Sequence, residues 1–139
     1  MPTTQINGSD QRTRLHTTLL NVVYSNIMQW GKNIQREHVL SNGRIADIYF
    51  TFMDERIIIE VKTILKHSII TEAITKYWNQ CDYLIIAAPP PQFTKPTELD
   101  QITWSSPIEE KIGLLHISGK GLFLAKHPQR LREKTGPKP

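Results

Sequence analysis

NGRIADIYFTFMDERIIIEVK, residues 42–62, is the stretch from which the fold of this 139-residue chain is read. Residues 44–52 and 56–63 are mostly β-branched or aromatic, and Met53, Asp54 and Glu55 form a polar break between them. That pattern predicts two antiparallel strands joined by a tight turn. If Met53 and Asp54 alone form the loop, Phe52 faces Glu55 and Asp47 falls opposite Glu60, with Cβ atoms about 5 Å apart. If the loop is Asp54 and Glu55, Asp47 faces Lys62 instead. In both registers the two-residue period of a strand puts Asp47, Glu60 and Lys62 on one face and Ile57, Ile59 and Val61 on the other. A three-residue loop or a bulge would send Asp47 to the opposite face.

Upstream of the hairpin, residues 1–9 form a polar leader rich in Thr, Asn and Gly. Ser9 or Asp10 is placed to cap a helix running to about Trp30, with Leu15, Leu19, Val22, Val23, Ile27 and Trp30 as its core stripe. Gly31 ends that helix, and residues 34–40 alternate as a first strand carrying Glu37. Downstream, Ile70, Ala73, Ile74 and Tyr77 or Trp78 recur at helical spacing over residues 68–80. Residues 82–88, DYLIIAA, form an apolar run of strand length, expected to be buried on both faces and stopped by Pro89, Pro90 and Pro91. Residues 92–106 have no clear period and read as a loop, and 107–110 as a helical turn. Residues 112–118 and 122–126 are two short strands about a Gly119, Lys120, Gly121 turn. The expected fold is therefore α/β (α+β), a mixed central sheet flanked by helices, in the order αβββαβ followed by two short strands.

One domain is the natural size for this length, with residues 10–128 as its body and 129–139 as a basic tail. No apolar run approaches the roughly 20 residues of a membrane-spanning helix, so a soluble, cytoplasmic protein without membrane partners is expected. Cys81 is the only cysteine, and the five histidines, His16, His38, His67, His116 and His127, show no metal-ligand spacing. These features argue against zinc. The net charge of +4 is unevenly placed: Lys120, Lys126, Arg130, Arg132, Lys134 and Lys138 stand against Glu133 alone after residue 119. Such a basic arm suits phosphate neutralisation, and equally a solvated tail.

Asp47 and Glu60 on one face form a hard oxygen site suited to Mg²⁺ or Mn²⁺. The carbonyl of Val61 is a candidate extra ligand. Lys62, on the same face, is placed to steer or help deprotonate a water, or to stabilise charge on a phosphorane-like transition state. The competing reading is a set of ordinary cross-strand ion pairs involving Arg44 and Lys62 on a solvent face. Against it, Glu60 and Lys62 interrupt an otherwise apolar strand, and a buried charge needs partners or a metal. Lys66, Lys76 and Gln80 follow the hairpin and are candidates for DNA phosphate contacts. Solvated helix positions are the plainer reading of all three. Tyr77 and Trp78 read as core, and Trp104 as either a stacking platform or packing under its own loop.

GRIADIYF followed by IIIEVKT resembles the core of the PD-(D/E)XK nuclease superfamily, an Asp on one strand and Glu-x-Lys on the next. With Glu37, KYWNQCDYLIIAAP and IGLLHISGKGLFLAKHP, residues 34–128 are similar to its small MmcB-like DNA-repair branch. The resemblance implies a restriction-endonuclease-like core, Asp47 and Glu60 as Mg²⁺ ligands, Lys62 as the catalytic lysine, and Glu37 as an additional acid. Ala46 stands where the superfamily's name has Pro. No Asp or Glu occurs between Gln11 and Gln35, so the first helix offers no carboxylate and Glu37 is the expected substitute.

A metal-dependent DNA endonuclease of repair, recombination or a mobile element is the first functional expectation. Arg44, Lys66, Lys76, Gln80, Lys126, Arg130 and Arg132 would be its DNA contacts, with a homodimer as a candidate assembly. The alternatives are a DNA-binding or junction-recognising module without catalysis, and a protein-interaction subunit using residues 89–107.

Overall fold

The β-hairpin forms with Met53 and Asp54 as its two loop residues, at φ 52° and 65°. Two successive positive φ values are the signature of a tight type I′ turn, whose twist matches that of the flanking strands. Phe52 therefore pairs with Glu55 and Ile48 with Ile59, the first of the two registers expected from the sequence. The computed structural model describes residues 8–29, 32–63, 67–89, 110–118 and 121–131. Within them the elements run α1 (Gly8–Ile27), β1 (Lys32–Val39), β2 (Ile45–Phe52), β3 (Glu55–Val61), α2 (His67–Tyr77), β4 (Tyr83–Ala88), β5 (Gly113–Ser118) and β6 (Gly121–Lys126). The strands make one mixed sheet whose spatial order equals the chain order. Neighbours are antiparallel except β3, β4 and β5, which run parallel. The fold is thus α+β, with a mixed six-stranded sheet and two helices.

Strand alternation divides the core into two layers. Ile58, Leu84, Ile86 and Leu114 pack with Ile70, Ala73 and Tyr77 of α2, while Ile48, Phe50, Ile59, Ile85 and Leu115 pack with Leu19, Leu20, Val23 and Ile27 of α1. A helix on each face explains why Leu84 to Ala88 of β4 are buried without interruption. On α1 the buried stripe differs from the expected one. Leu15 is exposed and Val22 only partly buried, whereas Leu20 is buried. Leu19, Val23 and Ile27 are buried as expected, and with Leu20 in place of Leu15 and Val22 the inward face is centred closer to His16. The helix ends at Ile27, short of Trp30, which lies outside the described residues. Trp78, expected in the core, is exposed because Tyr77 takes the inward position of α2.

The segment after β6 returns to the starting ends of β3 and β4. Arg130 pairs with Glu55 and with Asp82 (3.5 Å), the Leu131 N–H donates to the Asp82 carbonyl (2.9 Å), and Leu131 is buried. Asp82 also accepts from the Arg56 backbone N–H at 2.8 Å. Lys126 donates to the carbonyls of Ile112 (2.7 Å) and Glu110. Gly113 is needed here because a Cβ would lie 2.9 Å from Pro128. Lys126 and Arg130, expected as DNA contacts, are spent on internal bonds that close this end of the sheet. Arg132, Lys66 and Trp104 lie outside the described residues.

The turn gives a direct test of the register. Replacing Met53 by Asn and Asp54 by Gly supplies the residues that favour positive φ, and Met53 is too exposed for its loss to open a cavity. The double variant should gain about 0.5–1 kcal/mol in denaturant unfolding. A loss of stability would contradict the two-residue turn.

Candidate active site

At the far end of the hairpin from its turn, the β2–β3 ladder stops at Ile48 and Ile59. Beyond that pair, side chains occupy the gap between the strands. The Val61 N–H donates to Asp47 Oδ2 at 2.8 Å, in place of a strand-to-strand backbone bond. The Asp47 N–H lies 3.5 Å from Glu60 Oε1, at the limit of a hydrogen bond. The two carboxylates therefore meet where β2 and β3 part. Glu60 is 4% exposed, the one buried charged residue among those described.

Four further groups converge on this pair. His16 of α1 donates from Nε2 to Asp47 Oδ2 at 3.2 Å. Lys62 Nζ is 3.6 Å and Lys76 Nζ 3.8 Å from Glu60 Oε2. The Tyr77 hydroxyl stands 3.0 Å from that same oxygen and 2.9 Å from the Ile45 carbonyl. The β1–β2 turn is tied to the end of α2, because Asn42 Nδ2 donates to the Lys76 carbonyl (3.1 Å) and Ser41 Oγ to Gln80 Oε1 (2.9 Å). Arg44, exposed in that turn, raises the positive potential around Tyr77.

Burial and the neighbouring Asp47 charge push the Glu60 carboxyl up to about 7, against the opposing pull of Lys62, the Tyr77 hydrogen bond and Lys76. Burial also acts to raise Asp47, but the His16 and Val61 hydrogen bonds outweigh it and hold Asp47 below the ordinary range. His16 is correspondingly raised, chiefly by its bond to Asp47. The single Tyr77 hydroxyl proton faces two acceptors, Glu60 Oε2 and the Ile45 carbonyl, and serves both. Of the two carboxylates, Asp47 is the one whose charged form is favoured and Glu60 the one whose proton is held more tightly.

The sequence-predicted residues separate into three groups. Asp47, Glu60, Lys62, Val61 and Lys76 come together, with Arg44 and Gln80 on the rim. Glu37 lies between Arg36 and His38, which pair with Ile48 and Ala46, so it is level with Asp47 on the sheet. It is exposed at φ 50°, and among the described residues no hydrogen bond or ion pair joins it to Asp47 or Glu60. Lys126 and Arg130 are at the other end. Sequence reasoning missed His16 and gave Tyr77 a core role only. The signal for His16 was the alternative stripe 16, 20, 23, 27, which turns it toward the sheet.

Among the described residues no three His, Cys, Asp or Glu side chains form a ready metal-ligand group. Asp47 and Glu60 nonetheless fit a hard divalent cation, since Mg²⁺ ordinarily takes one or two protein carboxylates and completes its shell with water and phosphate oxygens. Their mutual repulsion is what a cation would relieve. No helix among the described residues is long and apolar enough to cross a membrane. No protein-family model, curated protein or solved structure matches the chain.

The raised Glu60 makes stability pH-dependent. Between its ordinary 4.5 and about 7 the folded protein binds more protons than the unfolded chain, so stability falls as pH rises through that window. Glu60→Gln keeps an oxygen that can accept from Tyr77 and carries no charge. In chelator at pH 8 it should be more stable than the parent by about 1–3 kcal/mol, with the gap closing near pH 5. Equal stabilities at both pH values in urea denaturation would contradict a buried, costly carboxylate.

Proposed function

We propose that the protein is a metal-dependent nuclease that hydrolyses DNA phosphodiester bonds. The observation that carries this reading is the pair Asp47 and Glu60 in the gap between β2 and β3, with Lys62 3.6 Å from Glu60. The pattern resembles the Asp and Glu-x-Lys of PD-(D/E)XK nucleases, and the sheet order and flanking helices are compatible with that core.

Asp47 and Glu60 would hold Mg²⁺ or Mn²⁺, which when bound lowers the pKa of water and polarises a phosphate oxygen. In the hydrolysis a water oxygen bonds to phosphorus and gives up a proton to solvent, the bond from phosphorus to the leaving oxygen breaks, and that oxygen takes up a proton from solvent. Lys62 brings positive charge to the side of the site where the phosphorus gains negative charge, and its ammonium can orient the attacking water. Lys76 and Arg44 extend the positive surface along α2 and the β1–β2 turn, where a phosphate backbone would lie. With a cation held by Asp47 and Glu60, Lys62 and Lys76, now 3.6 and 3.8 Å from Glu60 Oε2, would be available to substrate phosphate.

Cleavage of duplex, nicked, branched and single-stranded DNA with Mg²⁺ or Mn²⁺ tests the reading. Asp47→Ala, Glu60→Ala and Lys62→Ala should each lower the rate by about 10²–10⁴-fold. Cleavage unchanged in all three would overturn it. DNA bound but never cut would favour the non-catalytic module.

A further inference from the structure

Among its described side chains the first helix offers no carboxylate, yet it does send His16 to the site, and this contact spans 31 residues of sequence. Its bond to Asp47 Oδ2 is matched by the Val61 N–H on that same oxygen, 2.8 Å away. One donor comes from α1 and the other from β3, so they approach Asp47 from two separate elements. Together they restrict the rotation of the carboxylate. His16 also occupies the inward stripe of α1 behind Leu20, Val23 and Ile27, all buried, so the helix packing sets the imidazole's position.

We propose that His16 is a positioning residue that holds Asp47 in the orientation needed to capture the divalent cation. This rests on the metal-dependent reading above and names a determinant outside the Asp and Glu-x-Lys pattern. A histidine that hydrogen-bonds a metal-binding carboxylate acts by pre-orienting it, and removing such outer partners typically weakens metal affinity about 10–100-fold. Without His16, Asp47 would retain the Val61 N–H and its contact with the Glu60 carboxyl, and it would turn more freely.

Binding of Mn²⁺, followed by loss of the free-ion EPR signal in the absence of DNA, is the test, with circular dichroism confirming the fold of each variant. His16→Ala should weaken binding about 10–100-fold, while His16→Gln, whose amide also donates at similar reach, should stay within about threefold of the parent. Parental affinity in His16→Ala would overturn the proposal, as would His16→Gln falling as far as His16→Ala, since that result would assign His16 to helix packing. A parent protein that takes up no Mn²⁺, or an Asp47→Asn variant that binds as well as the parent, would instead remove the metal site and the role of His16 with it.

Discussion

The rest of the site depends on a carboxylate held almost out of water beside a second carboxylate. Glu60 sits in β3, a central strand with a neighbour on each side and a helical layer on each face. Desolvating an anion there is expensive, and the proximity of Asp47 adds to the cost. The surrounding chemistry responds to that cost: two lysines within 4 Å, a tyrosine hydroxyl, and a hairpin whose ladder opens to admit the side chains. Replacing such a polar cluster with apolar residues is commonly neutral or stabilising in proteins. Its presence in this core therefore points to use rather than to folding.

The fold divides its labour between the two ends of the sheet. At the starting ends of β3 and β4, Arg130, Glu55, Asp82 and Arg56 form a closed network with Leu131 packed beneath it, and Lys126 is bonded to carbonyls. Charges there are matched. At the other end of β3 the acids compete for protons, and lysines lie at ion-pair distance that a stronger cation would displace. The parallel strands β3, β4 and β5 run between the two ends.

Much of this was readable from the residues. The β-branched runs and the polar break after Phe52 gave the hairpin, and left Asp47 opposite either Glu60 or Lys62. The unbroken DYLIIAA run announced a strand covered on both sides. Choosing between the two registers required the turn's actual dihedral angles. His16 was hidden because Leu15 and Val22, apolar but not buried, pulled the expected centre of the α1 stripe away from it, although Leu19, Val23 and Ile27 lie in the core as expected. With Leu15 taken as core, His16 faced away from the sheet. Tyr77 was assigned correctly to the core, but its hydroxyl partners lie on β2 and β3, which α2 meets only in the tertiary fold. Arg130 and Lys126 counted as free positive charge because a charge tally along the chain does not show that Glu55, Asp82 and the Glu110 and Ile112 carbonyls await them. Glu37 illustrates the converse. Strand pairing puts it level with Asp47, but its positive φ departs from regular strand geometry, which alternation alone does not anticipate.

The central claim is that Asp47 and Glu60 are arranged to share a divalent cation. Crystals grown without metal and soaked in Mn²⁺ would test it most directly, through anomalous scattering at the manganese edge. A single strong peak between the Asp47 and Glu60 carboxylates is expected, with Lys62 moved away from Glu60. No peak between them at millimolar Mn²⁺, with the Glu60 carboxyl still bonded to Tyr77 and Lys62, would contradict it.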